Sequence, residues 1–198
     1  MDRSWNIPAP MQAALEAAYA TPPRAYHHAG HIDEVLASHA EVARALGWKQ
    51  PREVQLAILF HDAIYVAGAH DNEAQSAALA RESIAKWLPG EKLDVDRVAA
   101  LIELTARHGS LKPGDVDAEA ALFLDCDMAI LGAEPARFDE YDASIAKEYA
   151  HVPPELFDAG RRAFLQRVLE SERIFLSPFF HERLDAKARG NLRRRLGR

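Results

Sequence analysis

An adjacent histidine and aspartate, His61 and Asp62, stand at the end of an apolar segment of this sequence. Neighbouring side chains on a regular helix point about 100° apart, so these two can serve one site only where the helix geometry relaxes, as at a helix end. Imidazole and carboxylate ligands together suit a divalent ion such as Mn, Mg, Fe, Ni, Co or Zn. Such an ion lowers the pKa of a bound water towards neutrality and supplies a hydroxide nucleophile. The pair therefore predicts a metal centre that activates water.

A second acidic pair, Asp125 and Asp127, interrupts the apolar segment "LFLDCDMAILG". A buried carboxylate is costly unless it is paired or bound to a cation. Two residues apart on a helix, these side chains point about 200° apart, so at most one of them is a direct ligand. The other can hydrogen-bond to a metal ligand and hold it in its orientation. Cys126 between them is expected to be a small packed hydrophobic residue rather than a nucleophile.

Other polar residues cluster near these positions. The segment "RAYHHAGHIDEVL" contains three histidines. Further along the chain, His108 ends another apolar segment. A histidine at a helix C-terminus is also favoured by the helix dipole alone. After Asp62 comes the cluster "HDNE", where Asp71 or Asn72 is explained as a helix start and an acid in the first turn is expected.

The elements that must position these residues are helices. Apolar spacing near 3.6 residues, cap residues and prolines mark them, while sustained strand alternation and internal repeats are absent. Residues 109–117 are expected to form a loop. The fold class is therefore all-α, a single bundle of about eight helices. Helices are predicted at about 11–20, 32–46, 51–60, 72–88, 94–107, 118–131, 135–150 and 153–176.

The bulk composition sets the broad class. The chain has 198 residues, 48% hydrophobic and 27% charged, which suits one globular domain over 1–198. No run of about 18 apolar residues exists to span a membrane, and the first residues lack the apolar core of a signal peptide. A single cysteine cannot form an intramolecular disulfide, which favours a cytoplasmic location.

Charge is unevenly distributed along the chain. The net charge of -6 argues against a general nucleic-acid-binding protein. The last residues, 181–198, nevertheless carry seven Lys or Arg and two acids. We expect a solvated helix end there rather than a nucleic-acid arm, because the patch is short and lacks interleaved aromatic residues. The predicted organisation is a core over about 24–176 with a basic helical extension at 177–198.

The order of these residues is similar to that of a known family. His31, His61 with Asp62, and Asp127, on an all-α scaffold, resemble the HD superfamily of metal-dependent phosphohydrolases. The resemblance extends over roughly 26–192 to a bacterial subgroup known only as predicted HD-superfamily hydrolases. That subgroup usually has Tyr-His-Asn where this chain has Tyr-His-His, which leaves the role of His28 open. The blocks that carry the resemblance are "YHHAGHI", "FHDAIY", "DNEAQSA", "FLDCDMAILG" and "EYAHVPPELFDAGR".

The resemblance implies a role for each matching residue. His31, His61, Asp62 and Asp127 would be the metal ligands, with Asp125 as the rival for the last place. Asp62 and Glu73 are the catalytic candidates, Glu73 as the group that orients or deprotonates the water. Contacts to the substrate phosphate, or extra ligands of a second metal, would come from His27 and His108. Cations that would neutralise the phosphate are Arg24, Arg107, Lys112 and Arg161.

The function implied is hydrolysis of a phosphate ester or anhydride of a small molecule, such as a nucleotide, by metal-activated water. Two alternatives come from other classes. A di-iron oxygenase on the same scaffold would need extra ligands, for which His27, His28 and His108 are available. A non-catalytic module would keep the metal for stability or bind a ligand. The expected partner is a small phosphorylated substrate, with no stable nucleic-acid partner and no membrane, and the chain is expected to be a monomer or homodimer.

Overall fold

The computed structural model describes residues 5–198, which form nine α-helices, one short 3-10 helix and no strand. The predicted all-α class is therefore confirmed. The α-helices are α1 (Ala9–Tyr19), α2 (Ala29–Ala45), α3 (Pro51–Phe60), α4 (Asn72–Trp87), α5 (Val95–Thr105), α6 (Ala118–Met128), α7 (Pro135–Glu148), α8 (Pro154–Glu170) and α9 (Pro178–Leu196), and the 3-10 helix Ala129–Gly132 follows α6.

Helix starts follow the local signals closely. α3 begins at Pro51, which stands at the first helical position, where its missing N–H costs nothing. α6 is capped by Asp117, whose carboxylate accepts the backbone N–H groups of Glu119 and Ala120, both at 3.0 Å. Sequence signals at N-termini therefore place these helices to within a residue.

The predicted helix over 153–176 is too long, because α8 ends at Glu170. Beyond it, backbone N–H groups bond to carboxylates instead of continuing the helical ladder. The N–H of Ile174 donates to Asp185 at 2.8 Å, and the N–H groups of Leu176 and Ser177 donate to Asp125 at 2.8 and 2.7 Å. Side chains remote in sequence thus take over the donors that a longer helix would need.

The chain forms two compact units, residues 1–106 and 107–198. In the first unit, α3 packs against α2, α4 and α5. From Val54 to Phe60 every residue of α3 except Gln55 is buried, as expected for a central helix. This unit therefore places the end of α3, with His61, against the surrounding helices.

The second unit contains α6 to α9. α9 packs against α6, α8 and the 3-10 helix, and it contributes Phe180, Leu192 and other apolar residues to the core. Gly132 permits the close approach, since a Cβ there would lie 2.7 Å from the Leu184 Cβ. The predicted basic extension at 177–198 is thus helical and packed within this unit. Several of its cations form ion pairs, among them Lys187 with Glu134 at 3.0 Å. The division into a core at 24–176 and an extension stays a prediction.

Within residues 5–198, no helix combines the length and apolarity needed to cross a membrane.

Gly109 fixes the loop that leads into α6. Its φ is +73°, and a Cβ there would lie 3.0 Å from the Val168 Cγ2 of α8. We expect Gly109→Ala to lower the free energy of unfolding by about 1–3 kcal/mol, because the positive φ and the contact both oppose a side chain. Urea denaturation measures this. Gly47→Ala is the matched control, since Gly47 has φ +77° but no atom within 4 Å. Equal losses of unfolding free energy in Gly109→Ala and Gly47→Ala would show that the contact with Val168 contributes nothing.

Candidate metal centre

His31 is positioned by the first turn of α2. The helix is capped by His28, whose Nδ1 accepts the N–H of Gly30 at 2.9 Å. The His28 ring lies so close to Gly30 that a Cβ there would be 2.6 Å from its Cε1. His28 is exposed and is the N-cap residue of α2, a position at which asparagine also caps helices. His31, three residues later, is 3% exposed.

His61 occupies the C-cap position of α3, which ends at Phe60. Its Nδ1 lies 2.8 Å from the carbonyl oxygen of Ile58. A carbonyl oxygen only accepts hydrogen bonds, so Nδ1 carries the hydrogen and Nε2 presents a lone pair. Fixing the imidazole through a backbone carbonyl in this way is how metal-binding histidines are usually oriented. The expectation that the His-Asp pair sits at a helix end is met.

Three donor atoms converge in the first unit. The Nε2 atoms of His31 and His61 are 3.2 Å apart, and Asp62 Oδ2 lies 3.6 Å from the first and 3.1 Å from the second. Three atoms with these separations lie on a circle of radius about 1.9 Å, while metal bonds to imidazole and carboxylate are about 2.0–2.2 Å long. His31, His61 and Asp62 would together hold one ion through these atoms. The residues present therefore fit a divalent metal.

The contact between His61 and Asp62 requires a positive charge. With its hydrogen on Nδ1, His61 directs the Nε2 lone pair at a carboxylate oxygen 3.1 Å away. Two electron-rich atoms at that distance repel unless a proton or a cation lies between them. Burial pushes the pKa of Asp62 upwards, but the His61, His27 and His31 rings outweigh it and hold that pKa well below its ordinary value. Asp62 is therefore ionised beside the two imidazoles.

Arg24 holds the turn that carries Asp62. Its Nη1 donates to the carbonyl oxygens of His27 and Asp62, both at 2.7 Å, and its Nη2 donates to Ala63 at 2.9 Å. The guanidinium also lies over the rings of Tyr19 and Tyr65 at 5.2 and 5.6 Å. The family resemblance predicts that Arg24 contacts the substrate phosphate. In the structure its guanidinium instead donates three hydrogen bonds to backbone carbonyls beside the donor atoms.

His27 lies beside this cluster. Its ring stacks on Tyr65 at 4.1 Å between centroids and lies 5.9 Å from the ring of His31. Its ring, with those of His61 and His31, lowers the pKa of Asp62. His27 therefore borders the three donors, and its contact with a substrate phosphate stays a prediction.

The "HDNE" cluster separates into individual roles. Asp71 is at the N-cap position of α4, yet its carboxylate bonds to Gln75 Nε2 at 2.8 Å instead of capping a backbone N–H. Asn72 instead pairs with both the N–H and the carbonyl of Val66, each at 3.0 Å. Glu73 is half-buried in the first turn, and within residues 5–198 its carboxylate has no hydrogen bond or ion pair. Its catalytic role stays a prediction.

In the second unit, the two acids of α6 differ sharply. Asp125 is 1% exposed, and its oxygens accept from the N–H of Leu176 and from both the N–H and the hydroxyl of Ser177. Burial raises the pKa of Asp125 to about 7, against those hydrogen bonds. Asp127 is half-buried, with Oδ2 3.5 Å from His108 Nδ1. The Asp125 carboxylate is thus already used by hydrogen bonds to Leu176 and Ser177. This favours Asp127 over Asp125 as the candidate metal ligand.

The remaining predicted cations belong to the second unit. Arg107 and Lys112 are exposed. Arg161 is buried, and its Nε donates to Asp142 at 2.9 Å, so it is a structural ion pair of the second unit. Sequence reasoning missed the use of Arg24 as a backbone clamp and the carbonyl of Ile58 as the partner of His61. No sequence signal identifies a backbone acceptor.

Comparison with family models, with curated proteins and with solved structures finds no match for this chain. The similarity to HD-superfamily hydrolases therefore stands on the ordered sequence blocks alone.

Proposed function

We propose that the protein is a metal-dependent phosphohydrolase whose ion is held by His31, His61 and Asp62. The observation that carries the proposal is the set of three donor atoms 3.1–3.6 Å apart, with the His61 tautomer set by the Ile58 carbonyl. When bound, the metal supplies Lewis acidity and a water of lowered pKa. Phosphoryl transfer depends mainly on positioning and charge stabilisation, which such a centre provides.

The other residues of the proposal act around this centre. Asp127 is proposed as the fourth ligand, with His108 steering its carboxylate from 3.5 Å. Glu73, whose carboxylate is not engaged elsewhere, is proposed to orient the attacking water and take its proton. His27 is proposed to hold a phosphate oxygen of the substrate. Each of these assignments follows the sequence resemblance and is compatible with the contacts within each unit.

The activity test starts from metal-free protein supplied separately with Mn, Mg, Fe, Ni, Co or Zn. Phosphate release across a panel of nucleotides and other small phosphorylated molecules is the readout, and anion-exchange separation distinguishes phosphate from pyrophosphate as product. We expect turnover with at least one metal and none in its absence. Metal binding at the three donors without hydrolysis of any phosphorylated substrate would refute the hydrolase and leave a binding module.

Arg24 gives a test of positioning within the same proposal. Arg24→Met keeps side-chain length but removes the donors to the carbonyls of His27, Asp62 and Ala63. We expect metal affinity to fall about 10-fold, the lower end of the effect of losing a supporting residue around a metal site. Competition with a metal indicator measures this. Arg44→Met, at an exposed position on α2, is the control, and equal affinities of the two variants would contradict the role.

A further inference from the structure

The second unit has a cleft with a volume of about 260 Å³. One wall is the loop 109–113, and the other is the last turn of α8 with the residues that follow, 170–173. The volume is below the usual range of about 300–1,000 Å³ for drug-sized ligands, so the cleft suits a smaller molecule.

Three cations line this cleft: Lys112, Arg167 and Arg173. Within residues 5–198 none of them forms an ion pair, and Arg167 lies over the Phe164 ring at 5.9 Å. Two carboxylates also line it. Glu170 accepts from Gln166, and Glu172 is exposed. Three like charges in one small cleft repel one another, and the two carboxylates offset them only in part.

Both walls of the cleft are held in place by hydrogen bonds. In the loop, Asp115 accepts the N–H of Lys112 at 2.8 Å, and Gly109 adopts the positive φ that the turn requires. On the opposite wall, Arg189 donates to the carbonyl oxygens of Leu169, Ser171 and Glu172 at 2.7–3.1 Å. Arg189 is in turn fixed by Asp185 at 2.6 Å. The backbone that carries the cations is therefore preorganised.

The cleft continues inwards to a smaller cavity of about 20 Å³, enough for about one water. The two share Gly109, Leu111, Ser171 and Arg173 as lining residues. His108 and Asp125 line the inner cavity. A ligand in the cleft would thus have its inner end near a histidine and its outer part among the free cations.

We propose that this cleft binds a small polyanion with two or more linked phosphate groups. Arg167 and Arg173 offer planar donor forks that match phosphate oxygens bidentately, and Lys112 adds a point charge from the opposite wall. A single phosphate would engage one wall, whereas a phosphate chain reaches the cations of both walls and supplies negative charge beyond that of the two carboxylates. The site is independent of the proposed hydrolase activity, since it requires neither the metal nor turnover.

Calorimetric titration of the metal-free full chain with pyrophosphate and with tripolyphosphate tests this site. We expect saturable one-to-one binding, weakened about 10-fold by Arg173→Ala and by Lys112→Ala and lost when both are changed. Lys147→Ala and Arg193→Ala are charge-matched controls, because both residues are exposed, lie outside the cleft and form no ion pair within residues 5–198. Repeating the titration in His61→Ala separates this site from the metal centre.

Two results would overturn the proposal. The first is the lack of saturable binding of either phosphate chain at millimolar concentration. The second is an equal weakening by the control substitutions, since that would show attraction to the overall charge rather than to the cleft. Retained binding in His61→Ala, together with loss in the cleft variants, supports the site whether or not the hydrolase proposal survives.

Discussion

His61→Ala is expected to weaken divalent-metal binding at least 100-fold and to abolish phosphate release. The substitution removes the nitrogen that lies nearest to the other two donors, 3.2 Å from His31 Nε2 and 3.1 Å from Asp62 Oδ2. A 100-fold loss corresponds to about 2.7 kcal/mol of binding free energy. Competition with a metal indicator gives the affinity, and a phosphate-release assay gives the activity.

The fold of this variant must be separated from its chemistry, because His61 is 2% exposed. Asp62→Asn, which keeps the shape of the side chain, should show the same losses while far-UV circular dichroism stays at the wild-type level. His70→Ala is the control, since His70 is exposed and within residues 5–198 makes no hydrogen bond or ion pair. Wild-type metal affinity in both His61→Ala and Asp62→Asn would rule out the assigned ligands.

The second large effect is a loss of stability, which we expect on substitution of one of the two acids of α6 and not of the other. Asp125→Asn is expected to lower the free energy of unfolding by about 2–4 kcal/mol, because one oxygen is replaced by an amide that cannot accept from buried donors. The N–H groups of Leu176 and Ser177 and the Ser177 hydroxyl all depend on the Asp125 carboxylate. Urea denaturation measures the loss.

Asp127→Asn is the counterpart, with the opposite pattern. Asp127 is half-buried and faces His108 at 3.5 Å, so we expect a change in stability below about 1 kcal/mol. As a proposed ligand it should instead lose metal affinity. Equal destabilisation by the two substitutions, or unchanged metal affinity in Asp127→Asn, would remove the distinction between the acids.

The sequence predicts the local parts of this centre well. Pro51 and the apolar run after it define α3, and the histidine and aspartate that end the run place two proposed ligands where the helix stops. The 200° divergence of Asp125 and Asp127 limited that pair to one ligand. This divergence does not say which of the two acids is the ligand. The deciding contacts are the hydrogen bonds from the backbone N–H groups of 176–177 to Asp125, about fifty residues further along the chain.

Long-range hydrogen bonds explain the other differences. α8 was predicted to reach 176 since no helix breaker precedes Pro178, yet Asp185 and Asp125 bind the backbone donors that would have continued it. The family resemblance and the bidentate pairing of arginine with phosphate predict a phosphate contact for Arg24. Its use as a clamp on the carbonyls of Asp62 and Ala63 depends on a loop 38 residues away, which local sequence patterns do not encode.

The most direct test of the central claim is a cobalt(II) titration of the metal-free protein followed by visible absorption. The three donors predict ligand-field bands that grow to a break at one cobalt per chain and vanish in the His31→Ala/His61→Ala double variant. The His39→Ala/His70→Ala double variant should give the wild-type titration. Absence of the bands in the wild-type protein, or the same bands in the His31→Ala/His61→Ala variant, would contradict a metal centre built on His31, His61 and Asp62.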